Sequence, residues 1–135
     1  MPERVDWEYM RTFALDLINF SSNIRDDNSI TKQRIIILLL DQATELLMKS
    51  FLIRESKMGA KEEKRFHWCL KRISGLQEED RSKIMHFHKL RNEIQHKALN
   101  LEDINKPQEI IKFYSSFERL CKAMFPEEVL PKFFT

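Results

Sequence analysis

The chain has 135 residues, 42% of them apolar and 33% charged. That balance sets it apart from disordered and membrane-embedded chains, and it supports one domain over 1–135 whose single core needs neither disulfides nor a structural metal. A formal net charge of +2, from 23 basic and 21 acidic residues, excludes a global field that recruits nucleic acid, so any polyanion site must be local.

Two glycines and four prolines are too few for the turns of a sandwich or barrel, and the expected fold is all-α. From Asp6 to about Phe20, the residues Trp7, Met10, Ala14, Leu17 and Ile18 recur at helical spacing, with Phe13 and Phe20 widening the stripe. The rings of Trp7, Tyr9, Phe13 and Phe20 suit base stacking, but at this spacing core packing is the preferred reading. Ser21-Ser22-Asn23 is expected to end this helix, and Asp26-Asp27-Asn28-Ser29 supplies a loop and an N-cap. A second helix is predicted from Ile30 to about Arg54. Its run Ile35 to Leu40, apolar on every side, marks a central helix, and Ala43, Leu46, Leu47 and Phe51 decide against a buried strand.

Lys57-Met58-Gly59-Ala60 breaks the pattern before a short third helix carrying Phe66, Cys69, Leu70 and Ile73, with Gly75 as its stop. Glu78-Glu79-Asp80 places negative charge in the first turn of a fourth helix, whose stripe is Ile84, Phe87, Leu90, Ile94, Ala98 and Leu101 and whose end suits Asn100. Pro107 opens a fifth, with Ile110, Ile111, Tyr114, Phe117, Leu120, Cys121 and Met124 on its apolar face, before Pro126. Short connections predict an antiparallel up-and-down bundle of four to five helices. The apolar tail from Val129 to Thr135 is expected to dock on this bundle or on a partner.

The longest apolar run is far short of the roughly 20 residues that cross a bilayer. The segment Met1 to Asp6 lacks the apolar stretch of a signal peptide, and Cys69 and Cys121 are too few for a disulfide scaffold. The expectation is a cytoplasmic protein with reduced thiols, no membrane association and both cysteines packed on apolar stripes.

One stretch stands apart: Lys89-Leu90-Arg91-Asn92-Glu93-Ile94-Gln95-His96-Lys97. Asn92 and His96 share a helix face, and Arg91, about 140° around from His96, is long enough to reach across. A cation, an amide and an imidazole converging on one anion suit phosphodiester cleavage without a metal. The imidazole moves a proton at the ribose 2′-hydroxyl or at the leaving oxygen, and the guanidinium stabilises the phosphorane. Against this stands a solvated face near a helix C-terminus, where the dipole favours Arg and His. Lys89 and Lys97 flank the site as RNA-binding candidates or plain solvated lysines. His67-x-Cys69 and His86-x-His88 point about 160° apart on a helix and make no chelating pair, so neither metal nor cofactor is expected.

Arg91-Asn92-Glu93-Ile94-Gln95-His96, late in a small helical bundle, resembles the commonest form of the R-x4-6-H motif of HEPN domains. The stretch Ile37 to Lys49 is similar to the second helix of many bacterial HEPN proteins, and His86-Phe87-His88-Lys89-Leu90 to the family's approach to its arginine. The resemblance implies a HEPN-like bundle and a homodimer whose motif helices face each other, so that two arginines and two histidines form one cleft. It implies a metal-independent endoribonuclease leaving 2′,3′-cyclic phosphate and 5′-hydroxyl ends, in a toxin–antitoxin, antiviral defence or RNA-processing setting with an antitoxin or defence-system partner. Arg91 and His96 would be catalytic, Asn92 would orient one of them or the phosphate, and Glu45 corresponds to an acidic position near the motif in some members. Ala98 stands where family toxins silenced by a partner nucleotidyltransferase carry tyrosine, which argues against that regulation here. Other members are silent, so the alternatives are a HEPN-like nucleotide- or RNA-binding or protein-interaction module, or an unrelated helical interaction bundle.

Overall fold

A computed structural model describes residues 2–24, 29–97 and 106–132. Five helices follow in order: α1 (Pro2–Ile24), α2 (Ile30–Arg54), α3 (Phe66–Lys71), α4 (Glu78–Lys97) and α5 (Lys106–Met124). No strand occurs among the described residues. The expectations placed on Asp26 to Asn28, Ala98, Asn100, Leu101 and Phe133 to Thr135 lie outside them.

α1 runs past its expected end. The hydroxyls of Ser21 and Ser22 donate back to the carbonyls of Leu17 and Asn19, at 2.8 Å each, so the serines are satisfied within the helix they were expected to terminate. The face of α1 that packs inward is Ala14, Ile18 and Ser21, with Trp7, Met10 and Leu17 half-buried. Phe13 and Phe20 do not join it: both are 54% exposed, and Tyr9 is 71% exposed. These three rings lie about 120–160° around the helix from the Ala14–Ile18 line, on an outward stripe of their own.

α2 begins where expected because the Ser29 hydroxyl accepts from the Lys32 amide. It touches all four other helices, and Ile36, Ile37, Leu40, Leu47 and Leu52 are buried among them. Ile35, at the edge of the apolar run, is exposed. Beyond Arg54, Ser56 adopts a left-handed φ of 60° and the Lys57 amide donates back to the Leu52 carbonyl, closing the helix. α3 stops at Lys71, earlier than Gly75, because the guanidinium of Arg81 on α4 donates to the carbonyls of Leu70 and Ile73. Gly75, with φ of 81°, shapes the link into α4 instead.

α4 and α5 pair antiparallel, with Asp80 bonded to Ser116 and Arg119, His86 facing Glu109, and Phe87 stacked on Phe113. α3 gives the direction of α2 against α4. Its first residue, Phe66, lies on His88, its Cys69 feels Lys49 and Glu45, and its last carbonyls reach Arg81. Advancing along α2 is therefore retreating along α4, and the two are antiparallel. The C-terminal segment docks on its own bundle: the Tyr114 hydroxyl donates to the Pro131 carbonyl at 2.6 Å, and Leu130 packs against the core. No described helix is long and apolar enough to cross a membrane.

Candidate functional site

Asp41 sits among the apolar residues of α2 with its carboxylate buried, and a buried carboxylate requires partners. They come from α4. His88 Nδ1 lies 2.9 Å from Oδ2 and 3.1 Å from Oδ1 of Asp41, and Arg91 Nε lies 3.6 Å from Oδ2. Residues three apart on a helix are neighbours, so one carboxylate meets both side chains.

Asn92, one turn after His88, completes the chain. Its Oδ1 accepts from Arg91 Nη1 at 2.9 Å, and its Nδ2 lies 3.5 Å from His88 Nε2. The roles are mutually consistent. Arg91 can only donate, which turns the amide oxygen toward it and the amide NH2 toward His88. The imidazole fits with its proton on Nδ1, facing Asp41. Phe66 of α3 stacks flat on the His88 ring, with centroids 3.9 Å apart and planes 9° apart, and fixes the imidazole plane. Arg91 is thereby held from two directions, while its Nε is buried without a hydrogen-bond partner.

Of the residues singled out from sequence, Arg91 and Asn92 are brought together. His96, one turn beyond Asn92 on the same face, is exposed and makes no hydrogen bond or ion pair among the described residues. Lys89 is exposed, and Lys97 closes α4 with its side chain outside the described set. Glu45 accepts from Lys49 Nζ at 2.9 Å and lies near Cys69. It sits one turn past Asp41, toward α3 and away from His96, so the acid that meets the motif arginine is Asp41. Asp41, His88 and Phe66 are members that the motif alone does not single out. Two were legible: a lone acid between Leu40 and Ala43 must find a partner, and His88, Asn92 and His96 form an i, i+4, i+8 series.

The histidines two apart do diverge. His86 reaches Glu109 on α5 at 3.2 Å, and His88 reaches Asp41 on α2. Among the described residues, no three His, Cys, Asp or Glu side chains gather in a form that suits a metal ion. Burial raises the Cys69 thiol pKa and pushes that of Cys121 up to about 12, the behaviour of packed rather than reactive thiols.

Chemically, the cluster offers a guanidinium aimed by a carboxylate and an amide, with an accessible imidazole one turn beyond. That arrangement can receive an anion and move a proton beside it. The chain matches no family model, no curated protein and no solved structure.

Proposed function

We propose that this protein is a HEPN-like, metal-independent endoribonuclease acting as a homodimer. The observation that carries the reading is Arg91, anchored by Asp41 and Asn92, with His96 exposed on the same stretch of α4. In the reaction, a histidine takes the ribose 2′-hydroxyl proton, the 2′-oxygen attacks phosphorus, and the bond from phosphorus to the 5′-oxygen breaks. A second acid protonates that oxygen, leaving 2′,3′-cyclic phosphate and 5′-hydroxyl ends. Arg91 stabilises the charge that develops on the phosphorane.

Two proton-transfer groups are needed, and one chain offers one free histidine at this place. His88 is committed to Asp41, Asn92 and Phe66. A second copy, its α4 facing the first across a two-fold axis, supplies the other His96. A cytoplasmic toxin or antiviral defence role, with an antitoxin or defence-system partner, belongs to the same proposal.

The test is cleavage of a mixed-sequence, end-labelled RNA in excess chelator by native protein, His96→Ala and Arg91→Ala, together with the mass in solution. Cyclic-phosphate ends from a dimer, lost in both variants, are expected. Cleavage that persists in both variants, or a protein that stays monomeric at micromolar concentration, removes the composite site. A second reading, a catalytically silent nucleotide- or RNA-binding or protein-interaction module, draws on the engagement of Arg91 within the fold. It predicts intact RNA at every protein concentration.

A further inference from the structure

Arg34 of α2 is absent from the motif, but its position is informative. It precedes Asp41 by seven residues, which places it within about 20° of Asp41 around the helix and roughly 10 Å along the axis. Asp41 is level with His88, and α2 and α4 run antiparallel. Seven residues on from His88 is Gln95, so the helix rise puts Arg34 at about the level of Gln95 and His96. Arg34, Arg91 and His96 then belong to the same end of the α2–α4 pair.

Burial adds an independent observation. Among the described residues, three buried side-chain nitrogen or oxygen atoms have no hydrogen-bond partner, and two of them are Arg34 Nε and Arg91 Nε. A buried guanidinium N–H without an acceptor is costly, so both atoms mark arginines that the fold leaves under-satisfied. The two helix segments supply no acceptor acid: α2 has none from Ile30 to Leu40, and α4 has none from Ile94 to Lys97. The buried Nε atoms are out of a ligand's reach, but the terminal nitrogens of Arg34 are not among the buried unpartnered atoms and make no hydrogen bond or ion pair among the described residues, so they are the donors that can meet the oxygens of a phosphodiester.

We propose that Arg34 is a second phosphate-binding residue at this end of the α2–α4 pair, holding a phosphodiester of single-stranded RNA next to the one Arg91 holds. The inference rests on the ribonuclease reading for its substrate class, but its test does not depend on cleavage. A fluorescein-labelled 2′-O-methyl oligoribonucleotide of mixed sequence cannot be cut by 2′-oxygen attack, and its binding is followed by anisotropy over a range of salt. Arg34→Gln is expected to weaken binding about tenfold and to lower the salt slope by about 0.7, the signature of one lost phosphate contact on a single strand. Lys32→Gln, an exposed cation on the same helix, should change affinity less than about twofold.

Adenosine monophosphate separates a strand from a lone nucleotide. Its weaker binding should be indifferent to Arg34→Gln, and a mononucleotide that binds as tightly as the strand and loses the same factor overturns the proposal. Native-like strand binding by Arg34→Gln, or no strand binding by native protein, overturns it too. If Arg34→Gln does not fold, Arg34→Lys keeps the charge without Nε. It must still weaken the strand at least about threefold, and unchanged binding overturns the assignment. Arg34-dependent binding without cleavage in the chelator assay leaves this inference standing and removes the nuclease reading alone.

Discussion

Two buried aspartates tie α4 to its neighbours, and they are satisfied differently. Asp80 on α4 accepts from the Ser116 hydroxyl at 2.8 Å and from both arms of the Arg119 fork at 2.8 and 2.7 Å, all from α5. Among the described residues, Asp41 on α2 has only an imidazole at hydrogen-bond distance, and its guanidinium partner stands off at 3.6 Å. A carboxylate matched by a full fork and a hydroxyl is a clamp between helices. A carboxylate that fixes one ring and stands off from its arginine is an orienting device. The same residue type on one bundle thus clamps two helices in one place and orients a polar cluster in another.

The sharpest way to break this contrast is Asp41→Asn, which keeps the shape and removes the charge that faces Arg91. Since displacing a catalytic group by about 1 Å can cost about 100-fold, kcat for the proposed RNA cleavage should fall on that order with KM little changed. Stability should also drop, by about 1–3 kcal/mol, because Arg91 loses its charged partner while the amide keeps a bond to His88. Loss of stability with an unchanged kcat would make Asp41 a second clamp.

Asp80→Ala should behave in the opposite way. Unfolding in urea should show about 2–3 kcal/mol of destabilisation, from a broken charge-assisted fork and a stranded buried Ser116, with the cleavage rate of the folded protein unchanged. Half the Arg119 side chain is exposed, which keeps the loss below that of a fully buried pair.

Acid sharpens the comparison further. The hydrogen bonds from Arg119 hold the Asp80 carboxyl below its ordinary value of 3.8, against burial, which pushes it up, and Ser116 adds to the lowering. A depressed folded-state pKa means that the pair stabilises the fold above the unfolded value, and that this stability is lost as pH falls through 3.8 toward the folded value. Arg119→Gln should therefore flatten the acid limb of melting temperature against pH below about pH 4. An unaltered limb would mean that other carboxylates govern acid unfolding.

The architecture was legible where local chemistry decides it. α2 begins at its Ser29 cap and ends at Arg54 because the cap and the apolar period agree. α1 was misread twice for physical reasons: serines that back-bond to their own helix do not end it, and a stripe wide enough to include Phe13 and Phe20 spans more of the helix than α2 covers. Arg91, Asn92 and His96 stood out as a spacing, but the carboxylate that orients the arginine comes from another helix. The ring that braces His88 comes from a third, and such contacts between distant segments leave no periodic trace.

The smallest expected effect is at His86, two residues from His88. His86 also faces a carboxylate, Glu109, at 3.2 Å, but its side chain is 67% exposed where that of His88 is 15% exposed. In water the pair gains little Coulomb energy and loses side-chain freedom, so His86→Ala should shift unfolding free energy by less than about 0.5 kcal/mol. His88→Ala removes the buried donor to Asp41 and the ring stacked on Phe66, and should cost several times more. If urea unfolding gave the two histidines equal weight, burial would not be what separates an orienting histidine from a surface one. The contrast drawn from Asp41 and Asp80 would then lose its physical basis.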